Sequence, residues 1–339
     1  MSSFKETYQK LNSKPAMKVL KSLGALIIII IVFALINDAG RATAKFLTVN
    51  NILTITLQMS IYALLALGIC YVLLIGGAEL SAGSIVGVTA MTFLVLMREG
   101  LPFPVSLIIT IIMGLVIGFL NGFMVAKMKM IPFVATLGMQ YVARGFCQII
   151  GNGQTIALTT AVKDEGLLAA FRFIGSGRVL GTIPMATIVV VIFFIIHYII
   201  LNHRSFGRKV YAVGSNSEAA RLSGIKADRI VIMAYMISSF MATMAGLLYT
   251  MRLSIAQPAG GDGWEFEGIA ACVIGGISMM GGEGSVVGAI IGASTLAVMR
   301  NGMNQAGLNP YWQNVVTGLV IVGAVYMDIR RRQKEATRL

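Results

Sequence analysis

Ile75-Gly76-Gly77-Ala78-Glu79-Leu80-Ser81-Ala82-Gly83-Ser84 and Ile274-Gly275-Gly276-Ile277-Ser278-Met279-Met280-Gly281-Gly282-Glu283-Gly284-Ser285 decide how this chain is read. Each opens Ile-Gly-Gly, carries one carboxylate, closes on Gly-Ser and runs into apolar sequence, the second being the longer. Both lie between strongly apolar stretches, and both hold too much glycine for helix interior. Gly-interrupted hydrophobic segments at matching positions of two related halves point to the central pathway of a transporter. A pair of tight turns between helices is the plain alternative, open at this point.

The composition around these stretches calls for a bilayer. With 57% hydrophobic residues, 12% charged residues and a mean hydropathy of +0.82, the chain has more apolar surface than one water-soluble core can hide. Its 339 residues read as one membrane domain. Period-2 alternation is absent, so the backbone must satisfy itself as helices, and the expected fold class is all-α and polytopic. A net charge of +13 raises the question of nucleic acid. The basic residues fall instead in clusters separated by long apolar runs: the N-terminus, Lys127/Lys129, residues 202–229 and the C-terminal tail. That is the pattern of positive cytoplasmic loops, and no basic run is interleaved with stacking aromatics.

The expected spans are 20–36, 52–76, 84–97, 103–126, 131–150, 184–201, 229–251, 266–277, 285–300 and 311–327, about ten transmembrane helices. The polar segment 1–19 precedes the first. The run after it is longer than a signal-peptide core, so it reads as a retained helix. Starting inside, the parity puts 127–130, 202–228 and the tail 328–339 inside as well, with both termini cytoplasmic and 151–183 as the largest external loop. Residues 20–327 then form a single transmembrane domain. The short spans 84–97 and 266–277 adjoin the glycine stretches and read as broken or re-entrant, which makes Glu79 and Glu283 semi-buried carboxylates. Helix counting gives the two glycine stretches one orientation, a parallel repeat. Gly114-Gly118-Gly122, Gly284-Gly288-Gly292 and Gly83-Gly87 are flat stripes for close helix packing. Cys70, Cys147 and Cys272 fit neither metal nor disulfide spacing, and His197 and His203 are too few for a metal cluster, so no metal site is expected.

One inner loop has a pattern of its own. In Gly214-Ser215-Asn216-Ser217-Glu218-Ala219-Ala220-Arg221-Leu222-Ser223-Gly224-Ile225, Ser215 or Asn216 can cap a helix, Glu218 suits its N-terminal dipole, and Gly224 ends it. The expectation is one short polar helix over 215–225, which gains stability only by docking on something.

Here the chain resembles a known family. The motif Gly214-x-Asn216-x-Glu218-Ala219-Ala220-x-x-Ser223-Gly224-Ile225 looks like the coupling segment in permease subunits of ABC importers for ribose, galactose, xylose and related monosaccharides. Gly76-Gly77-Ala78-Glu79-Leu80-Ser81-Ala82-Gly83-Ser84 is similar to that family's Gly-Gly-Ile-Asp-Leu-Ser-Val-Gly-Ser stretch. Pro132-Phe133-Val134-Ala135-Thr136-Leu137-Gly138 and Glu265-Phe266-Glu267-Gly268-Ile269-Ala270-Ala271 match further blocks. The resemblance covers about Asn51 to Asp328. Ala78, Glu79 and Ala82 replace the family's usual Ile, Asp and Val, which leaves the particular sugar open, a nucleoside included.

The resemblance implies a bacterial cytoplasmic-membrane permease that works as two copies of itself. It implies two further partners, an ABC ATPase subunit and an extracytoplasmic sugar-binding protein. No Walker-type Gly-x-x-x-x-Gly-Lys-Ser/Thr occurs, so ATP and magnesium belong to the partner and this chain carries no cofactor and no catalytic residue. Coupling to the ATPase would fall on Gly214, Ser215, Asn216, Glu218, Ala219, Ala220, Arg221, Ser223 and Gly224. The translocation pathway would be lined by Gln58, Ser60, Gly76, Gly77, Glu79, Ser81, Asn121, Gln140, Gly275 and Gly276. An ion-gradient-driven carrier shares the repeats and intramembrane acids but has no evident need for the loop helix. An intramembrane enzyme would need a nucleophile–base pair or metal cluster, and Glu79, Glu267, Glu283 and Arg144 do not supply one.

Overall fold

The computed structural model describes residues 15–38 and 45–336. The expected N-terminal segment 1–19 lies mostly outside these, as does the end of the tail. The chain is helical, with two short two-stranded sheets. In order the elements are α1 (Pro15–Asp38), α2 (Val49–Leu74), α3 (Ala82–Arg98), α4 (Phe103–Ala126), α5 (Pro132–Ile150), β1 (Ile156–Ala157), α6 (Leu158–Ala161) and α7 (Glu165–Ser176). There follow β2 (Arg178–Val179), β3 (Ile183–Pro184), α8 (Met185–His203), α9 (Ser205–Ser215), α10 (Ser217–Leu222) and α11 (Ala227–Leu253). β4 (Ile255–Ala256), α12 (Trp264–Ile274), α13 (Val286–Gln305) and α14 (Pro310–Ala336) complete the chain.

A helix occupies each of the ten expected stretches, and among the described residues six helices are long and apolar enough to cross a bilayer by themselves: α1, α2, α4, α8, α11 and α13. α3, α12 and α5 have local reasons to fall short. Gly-rich backbone limits α3 and α12, and Arg144 interrupts the apolar surface of α5. α13 runs past the end of its expected span, through Arg300-Asn301-Gly302 to Gln305.

α2 is the centre of the bundle. From Ala63 to Leu74 its residues are buried on all sides, without a polar face. A helix apolar all round belongs inside protein or lipid, and this one is inside protein. The outer helices show the opposite arrangement. Ile28, Leu35, Ile112, Tyr141 and Ile195 stand half or more exposed on α1, α4, α5 and α8, the apolar surface a bilayer solvates.

α4 and α11 meet along the Gly114-Gly118-Gly122 stripe. A Cβ at these positions would run into Thr243, Ser239 and Ile232 respectively, so the stripe is a seat for a neighbouring helix within the chain. Gly288 and Gly292 bring α13 equally close to Gly275 and Ala271 of the α12 end. Gly284 lies ahead of α13 and does not belong to that stripe. Cys70, Cys147 and Cys272 are buried and free, as small packing residues.

The stretch 151–183 is structured. Asp164 caps α7 by accepting from the Leu167 N–H at 2.6 Å, β1 pairs antiparallel with β4, and β2 with β3.

Candidate functional site

Two places gather the residues singled out by the sequence. The first is a backbone junction at the end of the bundle that carries α9 and α10. α2 stops because Gly76 turns left-handed at φ +75°, with the Gly76 N–H on the Leu73 carbonyl and the Gly77 N–H on the Val72 carbonyl, both at 2.9 Å. α12 stops the same way: Gly276 has φ +83°, and the Gly276 and Ile277 N–H groups donate to Val273 and Cys272, again at 2.9 Å. These are matching Schellman ends, a geometry that favours glycine.

The equivalence is therefore Gly76 with Gly276, one residue off the Ile-Gly-Gly match. The connections also differ more than the sequence match implied: seven residues, 75–81, lead to α3, against eleven, 275–285, before α13. Ser81 and Ser285 take the corresponding cap positions.

The two glycine stretches touch. The Gly282 N–H donates to the Leu74 carbonyl at 2.8 Å. α9 closes the junction from the third side. The Tyr211 hydroxyl donates to the Gly284 carbonyl at 3.0 Å, and burial pushes that phenol's pKa above its usual range. A Cβ on Gly214 would overlap the Leu74 carbonyl and stand 2.7 Å from the Gly282 nitrogen. Only glycine lets the end of α9 rest on both stretches at once.

The expected helix over 215–225 is the shorter α10, Ser217–Leu222. Ser215 ends α9, and Asn216 is extended (φ −161°, ψ 102°), so the helical path breaks there. The Asn216 side chain then caps α10 by accepting from the Ala219 N–H at 2.9 Å. Gly224 (φ +80°) closes α10, Ser223 bonds back to the Ala219 carbonyl at 2.9 Å, and Glu218 sits in the first turn. Arg221 reaches Asp228 at 2.7 Å, where Lys127 (2.9 Å) and Lys129 (3.4 Å) also converge. Leu222 is 90% exposed. Such a large apolar side chain at the tip of a six-residue helix suits a partner surface.

The second place lies deeper, where the N-terminal ends of α3 and α12 meet. Glu79 precedes α3, and one of its carboxyl oxygens accepts from the Ser81 N–H (2.8 Å) and hydroxyl (2.6 Å). Asn121 of α4 donates to Ser81 Oγ at 2.8 Å and to the other Glu79 oxygen at 3.4 Å. Glu79, Ser81 and Asn121 have no exposed surface within the chain. Tyr235 of α11 donates to the Ala78 carbonyl at 3.1 Å, holding the non-helical backbone from one side.

Across the meeting point, Glu265 in the first turn of α12 accepts from Gln140 of α5 at 3.0 Å. A Cβ at Gly83 would overlap its second oxygen, and one at Gly87 would lie 2.5 Å from the Gly260 carbonyl. Arg144 clamps the incoming loop by donating to the carbonyls of Pro258 (2.9 Å) and Gly260 (2.7 Å). A carboxyl near the start of each short helix matches the positive end of that helix dipole.

α2 and α11 run antiparallel, Gly68 packing on Ser238 and Met241 while Gly77, later in the chain, packs on Tyr235. Each of these long helices is followed by non-helical backbone and then a short helix. The segments α2–α3 and α11–α12 therefore form an inverted pair, whereas the two sequence-matched glycine stretches share one direction.

Several expected pathway residues are elsewhere. Gln58 and Ser60 lie in the first half of α2, where the Ser60 hydroxyl donates to the Leu57 carbonyl at 2.7 Å. Gly76, Gly77, Gly275 and Gly276 belong to the backbone junction. Glu283, expected semi-buried, is exposed because the longer connection carries it outward. Sequence reasoning left Glu265, Tyr235 and Arg300 out of the site. Arg300 pairs with buried Glu267 and bonds to the Tyr62 hydroxyl at 3.2 Å. Two acids on a short apolar helix were the available signal for Glu265 and Glu267. Among the described residues no group of three or more His, Cys, Asp or Glu is placed to hold a metal ion.

The family described as branched-chain amino acid transport system / permease component matches residues 51–325. Among curated proteins, the chain is 37% identical to the ribose import permease protein RbsC of Haemophilus influenzae, over 91% of this chain and 92% of that protein. It is 35% identical to RbsC of Bacillus subtilis, over 92% and 94%. The xylose transport system permease protein XylH of Escherichia coli is 30% identical, over 94% and 93%. No solved structure matches the chain.

Proposed function

The chain belongs to the branched-chain amino acid transport system / permease component family, and from that premise we propose how it moves its substrate. It is the membrane permease of a monosaccharide ABC importer, and ATP hydrolysis sits on a separate subunit. Its relatives named for ribose and xylose import make a pentose the first substrate to test. A binding protein delivers the sugar from outside. The chain crosses the cytoplasmic membrane ten times, α3 and α12 each completing a crossing together with unwound backbone, and it acts as two copies with both termini in the cytoplasm.

The observation that carries the mechanism is the seat of Gly214 on Leu74 and Gly282. α10 docks on the ATPase, which binds ATP and magnesium. When the ATPase closes, α9 and α10 move as a lever, and Gly214 passes that motion to the end of α2 and to the connection 275–285. The Schellman ends at Gly76 and Gly276 serve as the flexing points. The pathway runs beside the meeting of α3 and α12, where Glu79, Ser81, Asn121 and Gln140 supply hydrogen-bonding groups that a sugar's hydroxyls exchange for water. Gln58 and Ser60 belong to its other end. A gradient-driven carrier has no use for this lever.

The test is purification in mild detergent, comparing wild type with Glu218→Ala plus Gly224→Asp. An ATPase that accompanies the wild type and is lost from the variant supports the docking role of α10. No ATPase under any crosslinking condition removes it.

A further inference from the structure

We propose that an anionic glycerophospholipid occupies a continuous site on this chain, its phosphate in a basic pocket at the start of α11 and an acyl chain in the apolar groove above. The pocket has a volume of about 350 Å³ and is lined by Lys127, Arg221, Lys226 and Arg229 around the single carboxylate of Asp228. Asp228 already holds Lys127, Lys129 and Arg221. Among the described residues, no carboxylate pairs with Lys226 or Arg229. The pocket is therefore cationic, with two charges unspent.

The groove is a second, independent feature. It has a volume of about 420 Å³ and runs between Phe193, Ile196 and Ile200 of α8 and Met233, Ile237 and Phe240 of α11. Positions 229, 233, 237 and 240 share one face of α11 at helical spacing. Arg229 thus stands one turn, about 6 Å, from the mouth of the groove. α4, α8 and α11, which form the groove walls, are all helices apolar and long enough to cross a bilayer.

That combination selects the occupant. A cationic pocket alone would accept any anion, and an apolar groove alone any hydrocarbon. A phosphodiester joined to an acyl chain fits both, whereas an acidic segment of a water-soluble partner has nothing to place among Met233, Ile237 and Phe240. Basic pockets at the cytoplasmic ends of membrane helices attract anionic headgroups for this reason.

The full-length protein in detergent, titrated with phosphatidylglycerol or phosphatidylcholine and read by native mass spectrometry, tests the site. Phosphatidylglycerol should be retained in preference, and Lys226→Gln plus Arg229→Gln should weaken its retention about 25-fold, fivefold per lost cation. Ile237→Trp, which fills the groove, should weaken it with both cations in place. Equal retention of the two lipids, or no effect of the double variant, overturns the proposal. Competition by inorganic phosphate as effective as by the lipid would show an anion site without a lipid. A photoactivatable phosphatidylglycerol on the wild-type protein gives a readout independent of any variant. It should label α11 and α8, and labelling confined to other helices rejects the assignment.

Discussion

Gly282 donates its backbone N–H to the carbonyl of Leu74 at 2.8 Å, although 208 positions separate them in the chain. Through this bond the end of α2, buried on all sides from Ala63 onward, is held to the connection that leads into α13. Gly214 rests against both partners. A push on α9 thus reaches two distant parts of the bundle through backbone, where there is little side-chain freedom to absorb it.

Gly214→Ala places a methyl group against the Leu74 carbonyl. The chain should still fold and still bind its ATPase, because α10 is untouched. ATP-driven uptake should fall about tenfold or more, since a misplacement of about 1 Å in a transmitting contact costs on that order. Transport and ATPase rates measured together in proteoliposomes distinguish loss of coupling from loss of assembly.

Asn216→Ala removes the cap of α10 and should destabilise that short helix by about 1 kcal/mol. Affinity for the ATPase should drop about fivefold, while Asn216→Asp keeps an accepting oxygen and retains near-normal binding. Pull-down against a titrated ATPase measures both.

Glu79→Leu leaves the Ser81 N–H and hydroxyl without their acceptor in a fully buried site, and leaves the Asn121 amide only its bond to Ser81 Oγ. An unsatisfied buried group costs about 1–3 kcal/mol, so thermal stability in detergent should fall clearly. Glu79→Gln keeps one accepting oxygen and should recover most of it. A melting temperature unchanged by Glu79→Leu would mean that Ser81 and Asn121 find other partners.

Glu267 and Arg300 form an ion pair that is mostly buried. Removing either partner strands the other charge, a loss of about 3 kcal/mol. Glu267→Gln with Arg300→Met should be less damaging than the sum of the single changes. Strict additivity in that double-mutant cycle would contradict direct coupling.

The bundle was largely legible before the structure because apolar runs in lipid have few alternatives to helix. Depth and pairing were not legible. Glu79 and Glu283 look alike in sequence, each close behind an Ile-Gly-Gly, yet one is fully buried and the other exposed. The difference comes from the longer connection 275–285, which no local pattern reveals. The true counterpart of the 75–81 backbone in the inverted pair is the 254–263 loop before α12. It lacks an Ile-Gly-Gly signature, and Arg144, from a different helix, holds it in place. The sequence offered Ser215 and Asn216 alike as caps, and the structure uses Asn216, with Ser215 ending α9.

The most direct test of the whole account is uptake of labelled ribose and xylose into proteoliposomes containing this chain, its co-purified ATPase and the binding protein. With ATP and magnesium enclosed on the ATPase side, a pentose should accumulate, and it should not do so when ATP is replaced by a non-hydrolysable analogue. Accumulation driven by an ion gradient with no ATPase present would contradict the account and make the chain a secondary carrier.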